Sequence, residues 1–91
     1  MPKIKEIIWS SSFKRAFKKR VIGRPFEKSF RVKVELFLEN PFHPNLKTHK
    51  LSGNLSDLWS FTVSYNCRII FKFLADDKVI FIDIGTHEEV Y

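Results

Sequence analysis

Of the 91 residues in this chain, the ones best suited to chemistry are a few histidines, an arginine at the head of an apolar run, and a tyrosine. His87 follows the run Lys78-Val79-Ile80-Phe81-Ile82-Asp83-Ile84, which reads as a buried strand ended by Gly85. A histidine at the mouth of such a strand can move protons near neutral pH. Arg68 opens the preceding run, Ile69-Ile70-Phe71-Lys72-Phe73. Its guanidinium can grip a phosphate with two parallel hydrogen bonds. Tyr91 offers an aromatic face on which a base can stack. Together these residue types point to acid–base chemistry on RNA. One group must take the 2′-OH proton, another must protonate the departing 5′-oxygen, and a cation must steady the charge growing on the phosphate. The 2′-OH is itself the nucleophile, so no Ser or Cys nucleophile is required.

Other chemistries find little to work with. His43, His49 and His87 with the single Cys67 show no zinc-site spacing. There is no phosphate-cradling glycine loop, dinucleotide fingerprint or serine-hydrolase elbow. No metal and no small-molecule cofactor is therefore expected. Cys67 cannot pair within the chain and suits a reducing cytosol. No stretch is long and apolar enough to span a bilayer, and Met1–Glu6 lacks the apolar core of a signal peptide. The expectation is a cytoplasmic protein with no membrane partner. The formal charge of +6 favours a polyanion or an acidic protein. Much of that charge lies in Lys14-Arg15, Lys18-Lys19-Arg20, Arg24, Lys28, Arg31 and Lys33, residue types that also suit the wet faces of helices.

The elements that must position these groups follow from periodicity, and the length supports one domain, residues 1–91. Lys3 to Trp9 alternates as a first strand. Ser10-Ser11-Ser12 can cap a helix in which Phe13, Ala16 and Phe17 recur at helical spacing. Gly23 stops it, and Pro25 suits the first turn of the next helix. There Phe26, Phe30, Val34, Phe37 and Leu38 share one face, and Glu27, Lys28, Arg31, Glu35 and Glu39 lie largely on the other. Asn40–Asn45 reads as a loop. From Leu46 the period becomes two. Leu46–Leu51 reads as a short strand and Trp59–Tyr65 as an alternating one. Arg68–Leu74 and Lys78–Ile84 form a hairpin joined at Ala75-Asp76-Asp77. The predicted order is β-α-α-β-β-β, with the short Leu46–Leu51 strand left uncounted. The fold class is α+β, with two N-terminal helices on one face of a small, twisted, mostly antiparallel sheet and the other face open. Parity sets Cys67, Ile69, Phe71 and Phe73 against the helices and Arg68 on the open face, since an unpaired arginine under helices would be unfavourable. A salt bridge from Arg68 to Asp83 or Glu88 is the structural alternative to a catalytic role.

The segments Lys50-Leu51-Ser52-Gly53, Trp59–Phe73 and Ile84–Tyr91, in that order and spacing, resemble the RelE/ParE superfamily of bacterial type II toxins, in particular its RelE and YafQ branches. The resemblance spans nearly the whole chain. It implies that His87, which matches a YafQ-type histidine, is the general acid, and that Arg68 stabilises transition-state charge at the scissile phosphate. His49, in a stretch similar to the YafQ-type "HPLKG", becomes the general base or a phosphate contact. Tyr91 matches a tyrosine that stacks on a substrate base. Lys47 and Lys50 would hold the RNA backbone nearby. Thr62 and Asn66 join the RNA-binding set as the positions where YafQ-type relatives carry a histidine and an aspartate. Ser60 and Thr62 stand where RelE-type relatives carry two lysines. His43, between Phe42 and Pro44, reads as structural. The C-terminal helix that extends some relatives is not expected here.

What the resemblance implies is a metal-independent endoribonuclease, an mRNA interferase acting in the A site of the 70S ribosome and neutralised by a cognate antitoxin. The implied product is a 2′,3′-cyclic phosphate. A gyrase poison of the ParE type on the same fold is one alternative, though it needs no acid–base pair. A degenerate member kept as a binding module is the other.

Overall fold

The computed structural model describes residues 3–53, 57–75 and 77–90. The hairpin expectation at Asp76, the loop positions 54–56 and the role assigned to Tyr91 therefore fall outside the described residues.

The alternation in Trp59–Ser64 and Cys67–Phe73 builds the centre of a five-stranded sheet. The strands are β1 (Glu6–Trp9), β2 (His49–Lys50), β3 (Trp59–Ser64), β4 (Cys67–Phe73) and β5 (Lys78–Gly85). Their spatial order is β1-β5-β4-β3-β2. Only β1 runs parallel to its neighbour, β5; the other pairs are antiparallel. The helices α1 (Ser11–Arg20) and α2 (Glu27–Glu39) cover one face. The architecture is the α+β sandwich expected from periodicity, with the short β2 counted as a separate edge strand.

Five phenylalanines, Phe13, Phe37, Phe61, Phe71 and Phe81, are fully buried where helices meet sheet. Phe37 stacks on Phe61 at 4.6 Å and meets Phe71 edge-on at 5.0 Å. Phe26, Val34, Leu36 and Leu38 pack around them, so the apolar face predicted for α2 is the buried one.

Three local departures have physical causes. First, β1 begins at Glu6, because its parallel partner begins at Lys78. The residues before it bond elsewhere: the Ile4 N–H donates to the Leu38 carbonyl and the Lys5 N–H to that of Asp77. Second, Leu46–Leu51 is not one strand. Pro44–Leu46 is a 3-10 turn capped by the His43 ring, and Lys47 sits in the left-handed region at φ 52°. That conformation breaks the extended run and leaves only His49–Lys50 to pair with β3. Third, β5 carries a bulge. Ile70 faces Asp83 but Phe71 faces Phe81, so Ile82 is an extra residue. Val79 and Phe81 point into the core before the bulge, and Ile84 after it. Strict alternation would have turned Asp83 inward.

The serine triplet serves this bulge. Ser10 caps α1 by accepting the Phe13 N–H at 3.0 Å. The Ser12 hydroxyl donates to the Ile82 carbonyl at 2.8 Å and that of Ser10 at 3.4 Å, which satisfies the oxygen the bulge displaces.

The outer face is less open than parity suggests. Ser60 and Ile70 lie on it yet are only 1% and 3% exposed. Ser60 is short and sits between β2 and β4, where His49 and Ile70 are its cross-strand neighbours. Its buried hydroxyl has no hydrogen-bond partner among the described residues.

Candidate active site

Thr62, Arg68 and Gly85 are in register across β3, β4 and β5. At about 4.8 Å per strand this row spans roughly 10 Å. One strand further out, His49 pairs with Ser60, two residues before Thr62. Beyond Gly85 the chain leaves the sheet and bends back as one helical turn, α3 (His87–Val90). These elements therefore meet at one end of the sheet. There they enclose a cleft of about 760 Å³ lined by Lys47, His49, Thr62, Tyr65, Asn66, Arg68, Thr86, His87 and Glu88.

The cleft gathers His49, Arg68, His87, Lys47, Thr62 and Asn66 from the sequence-based set. Lys50 does not line it. Lys50 is exposed on β2 and, by strand alternation, projects from the face opposite His49. His43 lies elsewhere, with Nδ1 accepting the Asn45 N–H at 3.1 Å as a backbone cap.

His49 is oriented by its own turn. Its Nδ1–H donates to the Lys47 carbonyl at 3.0 Å, and the left-handed Lys47 backbone aims that carbonyl. The bond selects the tautomer with the proton on Nδ1, so Nε2 keeps its lone pair. An imidazole held this way is arranged to accept a proton. Arg68 is half-buried and has no ion-pair or hydrogen-bond partner among the described residues. The salt bridge to Asp83 considered for it goes instead to Arg20, whose Nη1 stands 3.1 Å from Asp83 Oδ1. The Arg68 guanidinium is thus left to the cleft, where a phosphate can take its donors.

Sequence reasoning missed three features. Periodicity puts Tyr65 at the end of an alternating strand, where the chain turns, and gives it no functional role, yet it lies in the β3–β4 turn, 93% exposed at the rim of a basic cleft. An aromatic ring so placed can stack on a base. Its signal was an aromatic in a two-residue turn, where packing does not call for one. Second, the predicted order ends at the last strand, yet α3 follows it. Thr86-His87-Glu88-Glu89 is a capping box: the Thr86 N–H donates to Glu89 Oε1 at 2.7 Å, and the Glu89 N–H to Thr86 Oγ1 at 3.3 Å. That spacing was legible in the sequence. The third is Arg20, which no local pattern links to residues so far along the chain.

Electrostatics differ across the site. The Thr86 backbone donor and then the Arg20 guanidinium hold the Glu89 carboxyl below the usual carboxylate range, against the opposing effect of desolvation. Burial, with the Glu89 charge adding to it, pushes the Cys67 thiol up to about 11. Cys67 is therefore an inert core residue beside Arg68 rather than a nucleophile. No group of three or more His, Cys, Asp or Glu side chains is placed to hold a metal among the described residues. No described helix is long and apolar enough to cross a membrane.

Neither the protein-family models nor the curated proteins give a match to this sequence. Solved structures do. YafQ from E. coli strain BL21(DE3) superposes with a TM-score of 0.79 at 20% identity, over 93% of this chain and 96% of that one. A chain of the E. coli DinJ-YafQ toxin-antitoxin complex gives 0.77 at 20% identity, over 98% of both. A copper-bound mutant toxin from Helicobacter pylori gives 0.75 at 24% identity, over 94% of this chain and 98% of that one. The fold is that of the RelE/YafQ-like toxins. It extends over almost the full length of this chain and of its structural neighbours.

Proposed function

We propose that this protein is the toxin of a type II toxin–antitoxin system and that it cleaves mRNA in the A site of the 70S ribosome. The observation that carries the reading is that His49, Arg68 and His87 line one cleft at one end of a RelE/YafQ-type sheet. An acid–base pair with a cation beside it is what metal-independent RNA cleavage requires.

In this mechanism His49 Nε2 takes the 2′-OH proton, and the resulting oxygen attacks the adjacent phosphorus. Arg68 donates to the non-bridging oxygens as negative charge builds on them. Protonated His87 gives its proton to the departing 5′-oxygen. The P–O5′ bond breaks, leaving a 2′,3′-cyclic phosphate on one fragment and a free 5′-hydroxyl on the other. Lys47 sits beside His49 to meet the backbone, and Thr62 and Asn66 offer hydrogen bonds to the sugar or base. The family resemblance gives Tyr91 the same base-stacking role as Tyr65. The DinJ-YafQ complex supports an antitoxin as the protein partner. An acidic segment that folds on binding would complement the +6 charge.

The test is primer extension on mRNA from programmed ribosomes incubated with the purified chain. Discrete cleavage that disappears in a folded His87→Ala variant is expected. Undiminished cutting by that variant would remove His87 from the mechanism. Inhibition of gyrase supercoiling with no cutting of RNA would replace this reading with the ParE-type one.

A further inference from the structure

The helical turn carrying His87 is held by charges that lie outside the cleft. Arg20 is the last residue of α1, and its side chain is three-quarters buried. Its Nη1 donates to Asp83 Oδ1 at 3.1 Å and to the Ile84 carbonyl at 2.9 Å. Its Nε stands 3.6 Å from Glu89 Oε2. The other oxygen of Glu89 accepts the Thr86 N–H that caps α3. One planar cation thus joins three separate pieces of chain: the end of α1, β5 beyond its bulge, and α3.

The backbone makes room for this bridge. A Cβ at Gly85 would stand 2.8 Å from Glu89 Oε1 and 2.9 Å from Arg20 Nη1, closer than real contacts allow. The bulge contributes as well, because the extra residue Ile82 turns Asp83 away from the core. By contrast α3 is four residues long and has no buried residue. A helix that short has no stability of its own. Polar ties to the body of the protein must therefore help to hold it.

We propose that Arg20 is a positioning residue: by bridging Asp83 and Glu89 it fixes α3, and so sets His87 at the cleft for proton transfer. The inference rests on the ribonuclease reading of that cleft. Arginine suits the task because Nη1 and Nε act on different acceptors at once, which a lysine ammonium does less well. The side chain does not line the cleft, so its effect on cleavage passes through His87.

Two variants of the full chain test this, Arg20→Gln and Glu89→Gln. Glu89→Gln leaves the Arg20–Asp83 pair in place, so it probes the bridge even where Arg20→Gln fails to fold. The first readout is 15N relaxation at His87–Val90. Order parameters near those of β4, roughly 0.85, are expected in the wild type, falling below about 0.6 in both variants while β4 stays rigid. The second is single-turnover cleavage, with a fall in kcat of roughly tenfold or more and KM changed by less than about twofold. In a His87→Ala background, Arg20→Gln should bring no further loss of residual cleavage, since both act at one step. Arg20→Lys should recover part of the rigidity and part of the rate. Unchanged order parameters in both glutamine variants would overturn the proposal. So would an equal loss of rate with and without His87. A wild-type chain that cuts no RNA would overturn the ribonuclease reading instead, and the relaxation data alone would then decide whether Arg20 holds α3.

Discussion

The imidazole of His49 and the guanidinium of Arg68 share one cleft but are prepared differently. His49 is held by a bond to the Lys47 carbonyl, whereas Arg68 keeps its donors unused among the described residues. A cation that waits for charge to develop acts mainly on kcat. Arg68→Ala should therefore lower kcat by about 100-fold or more while leaving ribosome affinity largely intact. Single-turnover cleavage at saturating ribosome, set beside a binding titration, measures the two effects. A defect confined to affinity would make Arg68 an ordinary backbone contact. Cys67 makes a contrasting prediction. Its folded pKa of about 11 lies above the ordinary thiol value, so the thiol stays neutral at pH 8 and should resist iodoacetamide until the chain unfolds. Above the ordinary thiol pKa the unfolded chain releases its proton first, so this group's contribution to stability is lost as pH rises towards about 11. Urea midpoints that hold steady or rise over that alkaline range would contradict it.

Short elements, rather than long ones, shape the site. The bulge at Ile82, the left-handed Lys47 and the single turn of α3 each move a chemical group by changing the direction of the chain. Gly85, just before α3, is also closely packed, since a methyl there meets both Glu89 and Arg20. Gly85→Ala should push the ends of both side chains aside, loosen α3 and lower cleavage, with a stability loss of about 1 kcal/mol, the low end for overpacking. Chemical denaturation and cleavage assays on the same preparation would show it, and full activity would mean that α3 can shift without harm. The cap at Ser10 is a milder case. Ser10→Ala loses the bond to the Phe13 N–H and the longer contact with the Ile82 carbonyl. About 1 kcal/mol of stability should go with it. Cleavage should persist, because Ser12 still holds the Ile82 carbonyl at 2.8 Å.

At the scale of the molecule, one aromatic core supports everything else. Phe37 touches rings from three strands, with Phe61, Phe71 and Phe81 at 4.6, 5.0 and 5.8 Å. Phe37→Ala should cost about 3–5 kcal/mol. That is a large share of the roughly 5–15 kcal/mol by which small domains are stable. Thermal melting should show a marginally folded variant, and a change below about 1 kcal/mol would mean that the core repacks around the gap. The positive charge is spread over the outer faces of the helices, with Arg24, Lys28 and Arg31 gathered at the start of α2. Together with Lys47 and Arg68 at the cleft, it gives the molecule a net positive field that draws in polyanions whichever single cation makes contact.

What the sequence determined by itself was the two long helices, the longer strands and the inward faces of both. Phe30 and Phe37 at helical spacing, and Phe61, Val63, Ile69 and Phe71 at strand spacing, can satisfy their hydrophobicity in only one orientation. His49, Arg68 and His87 could be singled out because few residue types move protons or grip phosphate. The tertiary structure decided where the pattern breaks. Alternation in Lys78–Ile84 gives no sign that Ile82 is skipped, because the bulge is set by the serine hydroxyls that satisfy its carbonyl and by β4 alongside. It also decided that Asp83 belongs to Arg20 rather than to Arg68. That pairing links residues 63 positions apart, and only the packing of α1 against β5 brings them within hydrogen-bond reach.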